Sequence, residues 1–95
     1  MIELALVVLE TEFFERDVKK LDASVKRELR QTVSKIIDDP KKGKPLKHFK
    51  NVFSERMRNF RIIYRFVESR NELLLVCFRN RDEVYDFLKT IRPSL

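Results

Sequence analysis

The sequence predicts an α+β fold: a small, mainly antiparallel β-sheet with an N-terminal helical hairpin packed on it and a short C-terminal helix, forming one domain over residues 1–95. Three observations predict it. Residues 60–66, Phe-Arg-Ile-Ile-Tyr-Arg-Phe, set Phe60, Ile62, Tyr64 and Phe66 against Arg61, Ile63 and Arg65, the period of two that belongs to a strand. Residues 14–37 instead repeat apolar side chains every three or four positions, the period of a helix. The run 73–78 is continuously apolar, as expected of a buried central strand covered on both faces.

Taken in order, residues 2–9 are rich in Leu and Val and read as the first strand. Thr11 is placed to cap a helix, with Glu12 and Glu15 in its positive first turn and Lys19 and Lys20 near its negative end. Phe14, Val18 and Leu21 form its apolar stripe. A second helix starts at Asp22 or Ser24, carries the apolar stripe Val25, Leu29, Val33, Ile36 and Ile37, and stops at Asp39-Pro40, because the residue before proline is pushed out of helical geometry. Residues 41–50 read as a loop punctuated by Gly43 and Pro45 and pinned to the core by Leu46 and Phe49. Strands follow at 51–57 and 60–68, joined by a tight turn near Arg58-Asn59, and then a turn at 69–71. The next strand, 72–79, should carry Leu73, Leu75, Cys77 and Arg79 on one face and Leu74, Val76 and Phe78 on the other. Asn80 caps a last helix, with Glu83 completing a box-like cap. Val84, Phe87, Leu88 and Ile91 form its stripe, and Tyr85 lies on the flank of that stripe, within reach of solvent or a ligand.

Charge is distributed unevenly. Residues 41–65 carry nine basic side chains and one acidic, a local excess of +8 in a chain whose net charge is +6. Residues 1–40 are net negative by two and residues 66–95 are balanced. Such density repels itself unless an anion is near, which favours a nucleic-acid partner over a merely solvated loop. A single Cys excludes an internal disulfide and suits a reducing, cytoplasmic setting. No apolar run approaches the roughly 20 residues of a membrane helix, and the start, Met-Ile-Glu-Leu, lacks the basic region of a secretion signal.

One His and one Cys do not make a zinc site, and there is no glycine-rich phosphate loop, so neither metal nor cofactor is expected. His48 reads as a surface residue, Cys77 and Tyr64 as packing. What remains is a set of arginines on strand ends and a tyrosine, and this set can cleave RNA. RNA supplies its own nucleophile in the 2′-hydroxyl. Guanidinium forks match phosphate oxygens and stay charged, but arginines are poor bases. A tyrosine next to several cations can act as a base, and Tyr85, close after Arg79 and Arg81, is the candidate. Competing structural roles are a salt bridge from Arg61 to a helix carboxylate, a pair from Arg79 to Asp82 or Glu83, and a half-buried Tyr85 without chemistry.

Phe60-Arg61-Ile62-Ile63-Tyr64, the apolar strand after it, and Arg79-Asn80-Arg81-Asp82-Glu83-Val84-Tyr85 together resemble the RelE branch of the RelE/ParE toxin superfamily, as do residues 12–21 and Lys44-Pro45-Leu46. The resemblance spans nearly the whole chain. It implies a metal-independent endoribonuclease, an mRNA interferase that cuts mRNA on the translating ribosome and is neutralised by a cognate antitoxin. Arg61 then matches the arginine that stabilises the scissile phosphate, Arg79 the one acting on the leaving group, and Tyr85 the tyrosine that orients or deprotonates the 2′-hydroxyl. Where RelE-type sequences carry two lysines spaced by two, this chain has Ser54 and Arg56, so Arg56 keeps one of the two cations. Arg58, Arg65 and Arg81 would support phosphate contacts, and Lys41, Lys42, Lys44, Lys47 and Lys50 would bind ribosomal RNA backbone without reading sequence. An acidic, amphipathic antitoxin suits the +8 segment on charge grounds as well. A ParE-like toxin acting on DNA gyrase, or an inactive relative, is the alternative. The nuclease expectation requires Arg56, Arg61, Arg79 and Tyr85 to converge on one pocket.

Overall fold

The structure, a computed structural model, describes residues 5–92. Its strands and helices are β1 (Val7–Glu10), α1 (Glu12–Lys19), α2 (Ala23–Asp38), β2 (Lys44–Pro45), β3 (Val52–Met57), β4 (Phe60–Val67), β5 (Glu72–Asn80) and α3 (Arg81–Ile91), with a turn of 3-10 helix at Glu68–Arg70. The α+β expectation holds, with one strand more than the sequence suggested. Lys44 and Pro45, expected in a loop, pair with Ser54 and Phe53 and add a short edge strand. The sheet order is β1-β5-β4-β3-β2. Only β1 runs parallel to its neighbour; the other pairs are antiparallel. β5 is interior, as its apolar run requires, although β4 is the midpoint.

The first strand begins later than expected, at Val7, and residues 2–4 of the expected strand lie outside the described residues. It is an edge strand, and Val7, Val8 and Leu9 are exposed. Three side chains cap the three helices. The Thr11 hydroxyl accepts from Phe14 N–H at 3.1 Å and donates to Val76 O, tying the start of α1 to β5. Asp22, rather than Ser24, caps α2 by accepting from Val25 N–H at 3.0 Å. That bond and one from Ser24 hold its carboxyl below the usual carboxylate range. Asn80 Oδ1 accepts from Glu83 N–H at 3.0 Å, and its side-chain amide donates back to the Glu83 carboxylate. α2 ends at Asp38, ahead of Pro40.

Each sheet face buries its own cluster. Beneath α1 and α2 lie Met57, Ile62, Tyr64, Phe66, Leu73, Leu75 and Phe78 with Phe14, Val25, Leu29 and Ile36. Beneath α3 lie Val52, Ile63, Val76 and Cys77 with Val84, Phe87 and Leu88, and Leu46 and Phe49 pin the basic segment against this cluster.

The expected alternation along β5 breaks at one point. Cys77 pairs with Ile63 but Leu75 pairs with Tyr64, so Val76 is a bulged residue with no partner of its own on β4. Leu73 and Leu75 remain on the α1/α2 face, while Cys77 moves to the α3 face beside Val76, and Phe78 joins the α1/α2 face. Arg79, two residues beyond Cys77, therefore lies on the α3 face.

Candidate nucleic-acid interface

The bulge brings Arg79 into line with two arginines that the β3–β4 hairpin already sets opposite each other. Arg56 on β3 is directly opposite Arg61 on β4, and Arg61 is directly opposite Arg79 on β5. Facing residues in an antiparallel pair share a face with Cα atoms about 4.5–5.5 Å apart. Like charges in register repel, so the row is held by what surrounds it.

Arg56 and Arg61 line one cleft of about 310 Å³, shared with Arg58, Phe60, Asn80, Arg81 and Asp82. Four arginines line it and Asp82 is its one lining carboxylate, beside the positive N-terminus of α3. Arg58 and Asn59 form the two-residue turn between β3 and β4, and Arg58 takes φ 54°, a left-handed conformation uncommon outside glycine. The Arg58 carbonyl accepts from Arg56 Nε at 3.4 Å, and the Arg58 guanidinium pairs with Glu28 of α2 at 2.5 Å. Phe60, stacked on Phe78 at a centroid distance of 4.8 Å, gives the cleft a rigid apolar wall.

Arg79 turns away from this cleft. Its Nε donates to Asp17 Oδ2 of α1 at 3.1 Å, and the same oxygen accepts from Phe78 N–H at 3.1 Å. The Arg79 guanidinium also lies 4.3 Å from the centroid of Phe87, which packs edge-on against Phe13 of α1. It lines a separate cleft with Glu83 and Asp86. The structural partner is thus Asp17, not Asp82 or Glu83.

Tyr85 is 55% exposed and lines a third cavity, a groove of about 600 Å³ between the basic segment and α3. Pro45, Leu46, Phe49 and Leu88 contribute its apolar surface; Lys44, Lys47, His48, Lys89 and Arg92 add basic side chains. Arg81 and Tyr85 are one helical turn apart, so the same side of α3 passes from the arginine cleft to this groove. Of the remaining lysines, Lys41 pairs with Glu68 and Lys42 with Glu55, and Lys50 is exposed. Arg65 is half-buried opposite Val52 and Leu74, and its Nε is buried with no hydrogen-bond partner among the described residues. Ser54, standing where the resemblance calls for a lysine, is 7% exposed and its hydroxyl likewise has no partner among the described residues.

The expected convergence of Arg56, Arg61, Arg79 and Tyr85 on one pocket is therefore only half met: Arg56 and Arg61 share a cleft with Arg58 and Arg81, whereas Arg79, bound to Asp17, and Tyr85 line neighbouring cavities on either flank of α3. Sequence reasoning missed Asp17, which is 62 positions from Arg79 and carries no local signal of the pair. Lys89 and Arg92 could have been found, because they follow Tyr85 at helical spacing. Among the described residues no His, Cys, Asp and Glu cluster could hold a metal ion, and no helix is long and apolar enough to cross a membrane.

A family model described as the ParE-like toxin of type II bacterial toxin–antitoxin systems matches residues 8–89. No curated protein sequence matches the chain. Among solved structures, a double arginine-to-alanine mutant of the Escherichia coli toxin RelE in the free state superposes with a TM-score of 0.78 at 13% identity, covering 97% of this chain and 100% of that one. The toxin–antitoxin complex RelBE of Escherichia coli gives 0.73 at 14% identity, covering 80% of this chain and 96% of the matched chain. A RelBE complex from Mycobacterium tuberculosis gives 0.70 at 22% identity, covering 82% and 100%. At these identities the likeness is one of fold.

Proposed function

Because the chain belongs to the ParE-like toxin family of type II bacterial toxin–antitoxin systems, we propose that it is the toxin member of such a pair and acts as a metal-independent endoribonuclease on mRNA at the ribosome. The observation that carries the proposal is the arginine cleft, in which Arg56, Arg61 and Arg81 stand beside a single lining carboxylate, Asp82, with Arg58 held at its rim by Glu28. A gyrase-directed protein needs no such constellation for phosphoryl transfer, whereas RNA cleavage without a metal depends on one.

In the proposed reaction the 2′-hydroxyl attacks the adjacent phosphorus, the bond to the 5′-oxygen breaks, and a 2′,3′-cyclic phosphate and a 5′-hydroxyl result. Arg61 and Arg56 neutralise the charge that grows on the equatorial oxygens, a task suited to guanidinium forks fixed on neighbouring strands. Arg58 and Arg81 hold the flanking phosphates. Tyr85, on the side of α3 that adjoins the cleft, takes the proton from the 2′-hydroxyl or orients it. Arg79 serves the leaving 5′-oxygen once phosphate displaces Asp17 from its Nε. Lys44, Lys47 and Lys50 bind RNA backbone, Lys41 and Lys42 being paired with Glu68 and Glu55, and an acidic antitoxin covers the same cations.

The test is expression in cells with transcript mapping. Arg61→Ala should lower the cutting rate at least a hundredfold, on the order of 3 kcal/mol of transition-state stabilisation, and abolish growth arrest while the fold is kept. Cuts inside reading frames are expected from the parent protein. Broken chromosomal DNA with intact transcripts, or full toxicity of the Arg61→Ala protein, would reject the nuclease in favour of a gyrase-directed toxin.

A further inference from the structure

We propose that Tyr64 is a positioning residue for RNA binding: through its hydroxyl it locks Gly43, and with it the lysine wall of the groove beside Tyr85. The inference rests on the RNA reading given above and adds to it the device that holds the lysines in place.

Tyr64 is completely buried in the cluster beneath α1 and α2. Its ring stacks on Phe53 of β3 at 5.4 Å and 17°. A phenylalanine would pack against Phe53 in the same way, so burial and stacking do not account for the hydroxyl. The hydroxyl reaches past β3 to accept the Gly43 N–H at 3.0 Å, a bond within the core between residues 21 positions apart. A buried polar group is retained where it meets a specific partner. Gly43 is the only glycine in the chain. A Cβ there would stand 2.6 Å from the Tyr64 hydroxyl and 3.1 Å from both Phe53 Cβ and Ser54 O, so the contact demands a residue without a side chain.

What this bond fixes is the start of the basic segment. β2 follows at once but pairs with β3 over only two residues, and the Leu46 N–H to Val52 O bond at 2.9 Å closes its far end. Lys41 and Lys42, before Gly43, are spent on Glu68 and Glu55. Lys44 and Lys47, after it, line the groove and form no ion pair among the described residues. The lock thus stands between the lysines that anchor the segment and those that face a ligand. Without it, a buried amide loses its partner and the two groove lysines lose a fixed origin.

The test uses the full chain and a single-stranded 2′-O-methyl RNA decamer, which lacks the nucleophile and is not cut. Affinity is measured over a range of salt concentrations, and amide exchange is followed at Gly43. Tyr64→Phe should weaken binding about threefold to tenfold at low salt. It should also flatten the slope of log K against log salt by about 1.4, the contribution of two single-strand phosphate contacts. The double substitution of Lys44→Ala and Lys47→Ala should flatten the parent slope equally and should add nothing in the Tyr64→Phe background. Gly43 exchange should accelerate at least tenfold in Tyr64→Phe, with β4 amides still protected. Loss of general stability does not alter a salt slope measured on folded protein. An unchanged slope, additive effects of the tyrosine and lysine changes, or unchanged Gly43 exchange would overturn the lock. A parent protein whose affinity for the decamer ignores salt would instead overturn the RNA reading, and Gly43 exchange would still decide whether the lock exists.

Discussion

Asp17 governs what Arg79 can do. One carboxylate oxygen accepts both the Phe78 amide and the Arg79 guanidinium, and the side chain is only 10% exposed. With the stack on Phe87, this ties α1, β5 and α3 together at one corner. Asp17→Asn keeps an acceptor for the amide but removes the charge, so it should cost about 2 kcal/mol in denaturant unfolding, the range of a charge-assisted hydrogen bond. Asp17→Ala should cost more, since the Phe78 N–H then loses its partner. Cys77 gives a second expectation at this scale. Burial pushes its thiol up to about 12. The folded state thus holds a proton that the unfolded chain releases from about pH 9. The contribution is constant below that pH and is lost as pH rises towards 12, by up to about 1.4 kcal/mol per pH unit. Chemical unfolding at pH 8 and pH 11 should show this fall, and Cys77→Val should reduce it.

At the scale of elements, the local devices were legible in the sequence and the non-local ones were not. The caps at Thr11 and Asn80, the stop before Pro40 and the turn at Arg58-Asn59 each follow from residues a few positions apart, and each has its expected place in the structure. The α3 cap also shapes the arginine cleft, because Asn80 and Arg81 both line it. Asn80→Ala should cost about 1 kcal/mol of stability, read as a lower thermal midpoint, and should weaken oligonucleotide binding through the freed first turn. The two-residue β2 escaped notice because a pair that short leaves no periodic trace. The bulge at Val76 escaped it because a continuous apolar run reads the same with or without an extra residue.

For the molecule as a whole, the sequence foretold a helical hairpin on one sheet face, an interior strand apolar on both faces and a dense basic segment, and all are present; that α3 covers the second face was not foretold. It did not foretell how the cations divide. Arg61 and Arg56 share a cleft because their strands are hairpin neighbours, a relation visible in a stretch of six residues. The cavity to which Arg79 belongs is set instead by α1, far away in the chain. The extra residue in β5 works as a parity switch. Adding or removing one position between Leu75 and Arg79 would send the guanidinium out through the opposite side of the sheet, under the helical hairpin, whereas a change of two would preserve its side. Length variation in this strand should therefore be tolerated in even steps and selected against in odd ones.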